Sequence, residues 1–182
     1  GVPYKATEDW DHCVVDGAPM RQATIETLGD FQWPDPNDPK QFAGLREQAK
    51  HLYENTDYVV GADAIKAGVL MNSLQMRGYD QFFMDLAIDV PFAEALMDRI
   101  LHTLNEMGIR YMDAVGEYVQ IAYVTDDLGS QSSLLISPRM FRQLLKPRMK
   151  ELHDHIKSCA DVKLMFHTDG AVLPLVDDFL EM

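Results

Sequence analysis

Three places along the 182-residue chain offer side chains able to do chemistry. His167 and Asp169 lie two apart in Phe166-His167-Thr168-Asp169-Gly170, Asp126 and Asp127 are adjacent, and Asp63 stands alone. On an extended strand end, residues i and i+2 point the same way, so one metal ion or one substrate could meet both His167 and Asp169. A neutral imidazole and a carboxylate both suit Zn2+, which takes three protein ligands when it is catalytic. A third ligand would have to come from another strand. The same pair would also serve as a proton-transfer couple in which Asp169 orients the imidazole. In the plainest case Asp169 only caps the following helix. Asp126-Asp127 could bind a cation, hold a cationic substrate group, or cap the turn before Gly129. Adjacent residues on a strand point oppositely, so only one of the two is expected to face a common mouth.

The elements that must position these residues alternate. Tyr58-Val59-Val60-Gly61-Ala62 reads as a buried strand that ends at Asp63. Val119 to Val124 reads as a second, ending in Thr125-Asp126-Asp127, and Val162 to Phe166 as a third, ending in His167. Asp38 with Pro39 predicts a helix start, and Phe42, Leu45, Ala49 and Leu52 continue it to about Asn55. Arg77-Gly78 predicts a break between two short helices within 64–87. Pro91 opens a long helix with Phe92, Ala95, Leu96, Ile100, Leu104, Met107 and Tyr111 on one stripe, closed at Gly116. Ser137-Pro138 opens the next helix, and a last one covers 172–182. Strand–helix alternation implies a parallel sheet covered by helices. In such folds function gathers at the carboxyl ends of strands, which is where Asp63, Asp126, Asp127, His167 and Asp169 fall.

Other readings are excluded or bland. The net charge of −13 argues against nucleic acid, whose phosphates need clustered Lys and Arg. No apolar stretch approaches the roughly 20 residues of a membrane span. Cys13 and Cys159 form no CxxC pair, and no secretory leader precedes them, so a reducing cytoplasm is the expected location. His153 and His155 are i, i+2 on a helix, cannot chelate one ion, and are expected to be solvated. No P-loop, GxSxG or HExxH is present.

Asp126-Asp127-Leu128-Gly129-Ser130-Gln131, followed by Ile136-Ser137-Pro138 and Lys146-Pro147-Arg148, resembles the uroporphyrinogen decarboxylase family. Trp33-Pro34-Asp35-Pro36-Asn37-Asp38-Pro39, Arg77-Gly78-Tyr79, Phe83-Met84-Asp85-Leu86 and the closing Phe166 to Gly170 fit the same pattern in consistent order. The resemblance implies an α/β fold, a (β/α)8 TIM barrel longer than this chain. Residues 39–182 would be the central part of one barrel domain, about its middle half, behind an irregular segment 1–38.

Two functional branches follow from the resemblance. In the corrinoid-linked methyltransferases the zinc motif is His-x-Cys-Gly with a second Cys far downstream. His167 matches the His, and Asp169 stands at the first Cys position. The leading expectation is therefore methyl transfer to or from a corrinoid carried by a partner protein. Zn2+ would be held by His167 and Asp169, and Asp127 or Asp126 would line the same mouth. A carboxylate is harder than a thiolate and leaves more charge on the metal. The alternative is uroporphyrinogen decarboxylase itself, a cofactor-free decarboxylation in tetrapyrrole biosynthesis, whose polyanionic substrate would need a basic cleft. A third, non-enzymatic expectation is a degenerate barrel that binds a corrinoid or tetrapyrrole, or a partner protein, without turnover. In the first two cases the substrate is a small molecule.

Overall fold

The structure is a computed structural model that describes residues 4–7, 10–15, 17–65 and 68–182, with backbone alone for 4–7, 10–15 and 64–65. The side chains of His12 and Cys13 lie outside the described part. Its centre is a three-stranded parallel sheet, β3 (Gly61–Ile65), β4 (Ile121–Thr125) and β5 (Lys163–His167), in the order β3-β4-β5. β4 and β5 pair in unbroken register, with Tyr123 opposite Met165 and Thr125 opposite His167. β3 pairs with β4 through Asp63 opposite Tyr123, after which the register slips by one residue.

The amino-terminal segment is not wholly irregular, as the sequence suggested. β1 (Tyr4–Thr7) and β2 (Trp10–Val15) form an antiparallel hairpin. The segment that follows is tied down by Arg77. Its Nη1 donates to the carbonyls of Met20, Arg21 and Ala23, while its Nε donates to Asp85 at 2.6 Å. Both partners of that ion pair are buried, so the guanidinium neutralises Asp85 and satisfies three carbonyls at once.

Several boundaries differ from expectation for local reasons. Asp38 does cap, accepting from the N–H of Lys40, but only a single 3-10 turn, Pro39–Gln41, follows. Gly44 at φ +77° interrupts the chain, and helix α1 runs Leu45–Asn55. The strand expected at 58–62 begins instead at Gly61, leaving Tyr58 and Val59 exposed. Their apolar character marked a connector. Gly78, at φ +91°, separates α2 (Val69–Arg77) from α3 (Tyr79–Ile88) as the sequence indicated.

Helix α4 (Val90–Val115) starts at Asp89, whose carboxylate accepts from the N–H of Phe92. Its buried face is Phe92, Ala93, Leu96, Met97, Ile100 and Leu101, which packs on α2, α3 and α6. The expected stripe shares Phe92, Leu96 and Ile100 with it; Leu104 and Tyr111 are only partly buried.

After β4 the chain enters α5 (Pro138–Met140), a π-helical stretch Phe141–Leu145 and α6 (Lys146–Cys159). Pro147 lacks an N–H and would break an ordinary helix. The wider π turns just before it let the helix continue. The 3-10 turn Leu173–Leu175 and α7 (Val176–Leu180) close the described chain.

α6 also corrects an expectation. His153 is not solvated but buried, with its ring 5.7 Å from that of Phe166 on β5. Burial, with Lys157 nearby, holds its imidazole down to about 4. Among the described residues, no helix is long and apolar enough to cross a membrane.

Candidate functional site

The two faces of the sheet differ. Ala122 and Val124 of β4 are buried beneath the helices, while Leu164 and Phe166 of β5 are half-buried and pack against the same core. The alternate residues point to the opposite face, which the described helices leave open. Tyr123 and Thr125 are partly exposed there, and Met165 is 56% exposed. Strand alternation continues past the last paired residues and sorts the polar groups. Asp127, His167 and Asp169 fall on the open face, and Asp126 falls on the helix side.

The structure brings three of the candidate residues together. His167 Nε2 lies 3.4 Å from Asp169 Oδ1 and 3.9 Å from Asp127 Oδ1. One donor atom from each of the three lies within 4.8 Å of the others. Ligands at bond lengths of about 2.1 Å sit roughly 3.4 Å apart around a tetrahedral ion. The His167–Asp169 spacing already meets that value, and small rotations of Asp127 would close the remainder. The donor chemistry, one imidazole and two carboxylates, fits a divalent ion. Asp63 is exposed on β3 and stays outside this cluster.

Asp126 does something else. It is 2% exposed, and its two oxygens accept from the N–H groups of Leu70 and Met71 at 2.9 Å each. These are orphan donors of the first turn of α2, so a carboxylate just beyond β4 caps a helix 56 residues earlier in the chain. Burial pushes its carboxyl up to about 7, against the pull of those N–H groups. Gly68 makes room for it: a Cβ there would lie 2.5 Å from the Asp126 carboxylate. The pair read as one acidic motif is therefore divided, with Asp127 in the cluster and Asp126 in the scaffold.

The loops that follow β4 and β5 are joined backbone to backbone. The N–H of Gly129 donates to the carbonyl of Asp169 at 3.1 Å, and that of Ala171 to Ser130 at 2.7 Å. The N–H of Leu128 donates to the Thr168 hydroxyl at 3.1 Å. Gly170 sits at φ +88°, and a Cβ on it would lie 2.4 Å from the Gly129 carbonyl carbon. Both glycines are needed because two main chains touch here.

One neighbour was missed from the sequence. The Tyr123 ring stands 6.1 Å from the His167 imidazole, tilted by 41°. The signal was available: Tyr123 and Asp127 have the same parity on one strand.

A parallel α/β sheet with acid, imidazole and acid at consecutive strand ends defines an α/β protein whose candidate site lies at the carboxyl edge of the sheet. The family is shown by comparison. Residues 16–182 match the family model described as Uroporphyrinogen decarboxylase (URO-D), and the chain belongs to that family. Among solved structures it is similar to a methyltransferase from Methanosarcina mazei, with a TM-score of 0.65 and 20% identity. That match covers 98% of this chain and 50% of the other, so the chain spans half the length of that structure. At this identity the likeness is one of fold. No curated protein matches the chain.

Proposed function

We propose that this chain is part of a (β/α)8-barrel methyltransferase of the uroporphyrinogen decarboxylase family. It would transfer a methyl group to or from a corrinoid carried by a partner protein. The observation that carries this reading is the cluster of Asp127, His167 and Asp169 on the open face at adjacent strand ends. Two carboxylates there would repel the carboxylated side chains of a porphyrinogen but would welcome a cation. Among the described residues, no Lys or Arg is ion-paired to Asp127 or Asp169. The methyltransferase named in the structural comparison adds support.

In this reading His167 and Asp169 hold a divalent ion such as Zn2+, which when bound supplies Lewis acidity toward the group that gives or receives the methyl. His167 presents Nε2 as the donor atom. Tyr123 flanks its ring and limits where the imidazole can turn. The seam at Gly129 and Gly170 fixes the two loops, so the carboxylates need little reorganisation.

The test gives the full-length protein methylcobamide with thiol acceptors, and reduced cob(I)amide with methylated amines or methoxylated compounds as donors, following the cobalt absorption as the methyl group moves. Methyl exchange that is lost in His167→Ala supports the reading. Conversion of uroporphyrinogen to coproporphyrinogen without methyl exchange would replace it with the decarboxylase.

A further inference from the structure

Behind the sheet, on the side away from the strand-end cluster, two buried polar side chains line one small cavity. Its volume is about 10 Å³, and it lies among Gly68, Val124, Asp126, Met149, His153 and Phe166. His153 is 6% exposed and Asp126 2%. Among the described residues, the His153 ring makes no hydrogen bond; the ring of Phe166 stands 5.7 Å away. Burial keeps the imidazole neutral, so one of its nitrogens donates and the other accepts. A buried donor or acceptor without a partner costs its full desolvation, and buried polar groups in folded proteins are nearly always satisfied. Asp126 can supply the other end of a link. A carboxylate has about four lone-pair sites. The amides of Leu70, Met71 and Val69 take no more than three of them. Among the described residues, no hydrogen bond or ion pair joins His153 to Asp126, so the two share a cavity without bonding directly. One water molecule needs roughly 10–15 Å³ of space for its centre and about two to four polar partners. This cavity meets both lower bounds.

We propose that this cavity is a hydration site: one water molecule, held by a His153 ring nitrogen and an Asp126 oxygen, joins α6 to the carboxylate that caps α2. The volume admits no larger occupant. His153 is then a positioning residue. It is not part of the strand-end cluster and acts on Asp126, and through Asp126 on the first amides of α2. The hydration site stands whether or not the protein transfers methyl groups.

The experiment begins with crystals of the full-length protein that diffract well enough to place single waters. Density is expected at about 2.7–3.2 Å from both a His153 ring nitrogen and an Asp126 oxygen. Long-lived internal water is then counted in solution by water-oxygen magnetic relaxation dispersion. His153→Phe keeps a ring packed on Phe166 but removes both nitrogens, and it is expected to hold one long-lived water fewer than the parent. His153→Gln keeps a donor and an acceptor and is expected to retain that water. Amide hydrogen exchange at Leu70 and Met71 is expected to quicken roughly two- to tenfold in His153→Phe, the net worth of one hydrogen bond, and to stay parental in His153→Gln. An empty cavity in the parent, or an imidazole bonded directly to Asp126, would overturn the hydration site. Equal water counts in the parent and a folded His153→Phe would do the same. Unchanged exchange at the start of α2 in His153→Phe would overturn the positioning role. The parent's density decides the case even where His153→Phe does not fold.

Discussion

The backbone N–H of Asp169 donates to Oδ1 of Asp127 at 3.0 Å, so the loop after β5 holds a carboxylate of the loop after β4. Both residues are partly exposed, and water can replace that bond at little cost. Asp127→Ala is therefore expected to change stability by less than about 1 kcal/mol, measured by urea unfolding. Methyl exchange in the same variant is expected to fall by at least about tenfold, if Asp127 serves the site. A large loss of stability would mean that the carboxylate is structural.

Gly170→Ala, in contrast, should cost stability. The left-handed φ of +88° and the approach to the Gly129 carbonyl both oppose a side chain. Strain of this type costs about 1–3 kcal/mol. Thermal unfolding should show that loss, together with weaker ion binding as the two loops part. An unchanged transition would show that the seam can yield.

Asp126→Ala leaves the buried amide of Leu70 and the part-buried amide of Met71 without an acceptor. The expected loss is about 1–3 kcal/mol per unsatisfied group. Amide hydrogen exchange should quicken first at the start of α2. If exchange accelerates uniformly instead, Asp126 is not acting as a cap.

His153 predicts a pH dependence. Its folded value of about 4 lies below its ordinary 6.5. Above the ordinary value the ring is neutral in both states, and its full contribution to stability is present. As pH falls from about 6.5 toward 4, the unfolded chain takes up a proton that the folded chain refuses. Stability then drops by up to about 1.4 kcal/mol per pH unit. His153→Leu should flatten this part of the stability–pH curve relative to the parent. Parallel curves for the two proteins would place the acid sensitivity elsewhere.

Arg77→Met strands the Asp85 carboxylate in the core and frees the carbonyls of Met20, Arg21 and Ala23. Removing one partner of a buried pair costs about 3–5 kcal/mol. Limited proteolysis should cut within residues 17–33 well before the sheet unfolds. Resistance equal to the parent's would show that other contacts hold the segment.

Much of the fold was legible because its signals are local. Pro91 after Asp89, Ser137 before Pro138, and the glycine at 78 each act within a few residues of where they stand. The starts of β3 and α1 were not, since Tyr58-Val59 reads as strand until tertiary packing leaves it outside. The site was half legible. Parity along two strands foretold that His167 and Asp169 would share a face and that Asp126 and Asp127 would not. That Asp126 would meet α2, or that His153 would sit beneath Phe166, depends on which helix packs over which strand. No spacing along the chain encodes that.

The division of Asp126 from Asp127 has a mechanical consequence. One peptide unit carries, on one side, the cap that starts a helix and, on the other, a carboxylate of the open face. A ligand held by Asp127 would also load the hydrogen bonds that begin α2. The start of a helix behind the sheet and a carboxylate of the open face are thus one peptide unit apart along the chain.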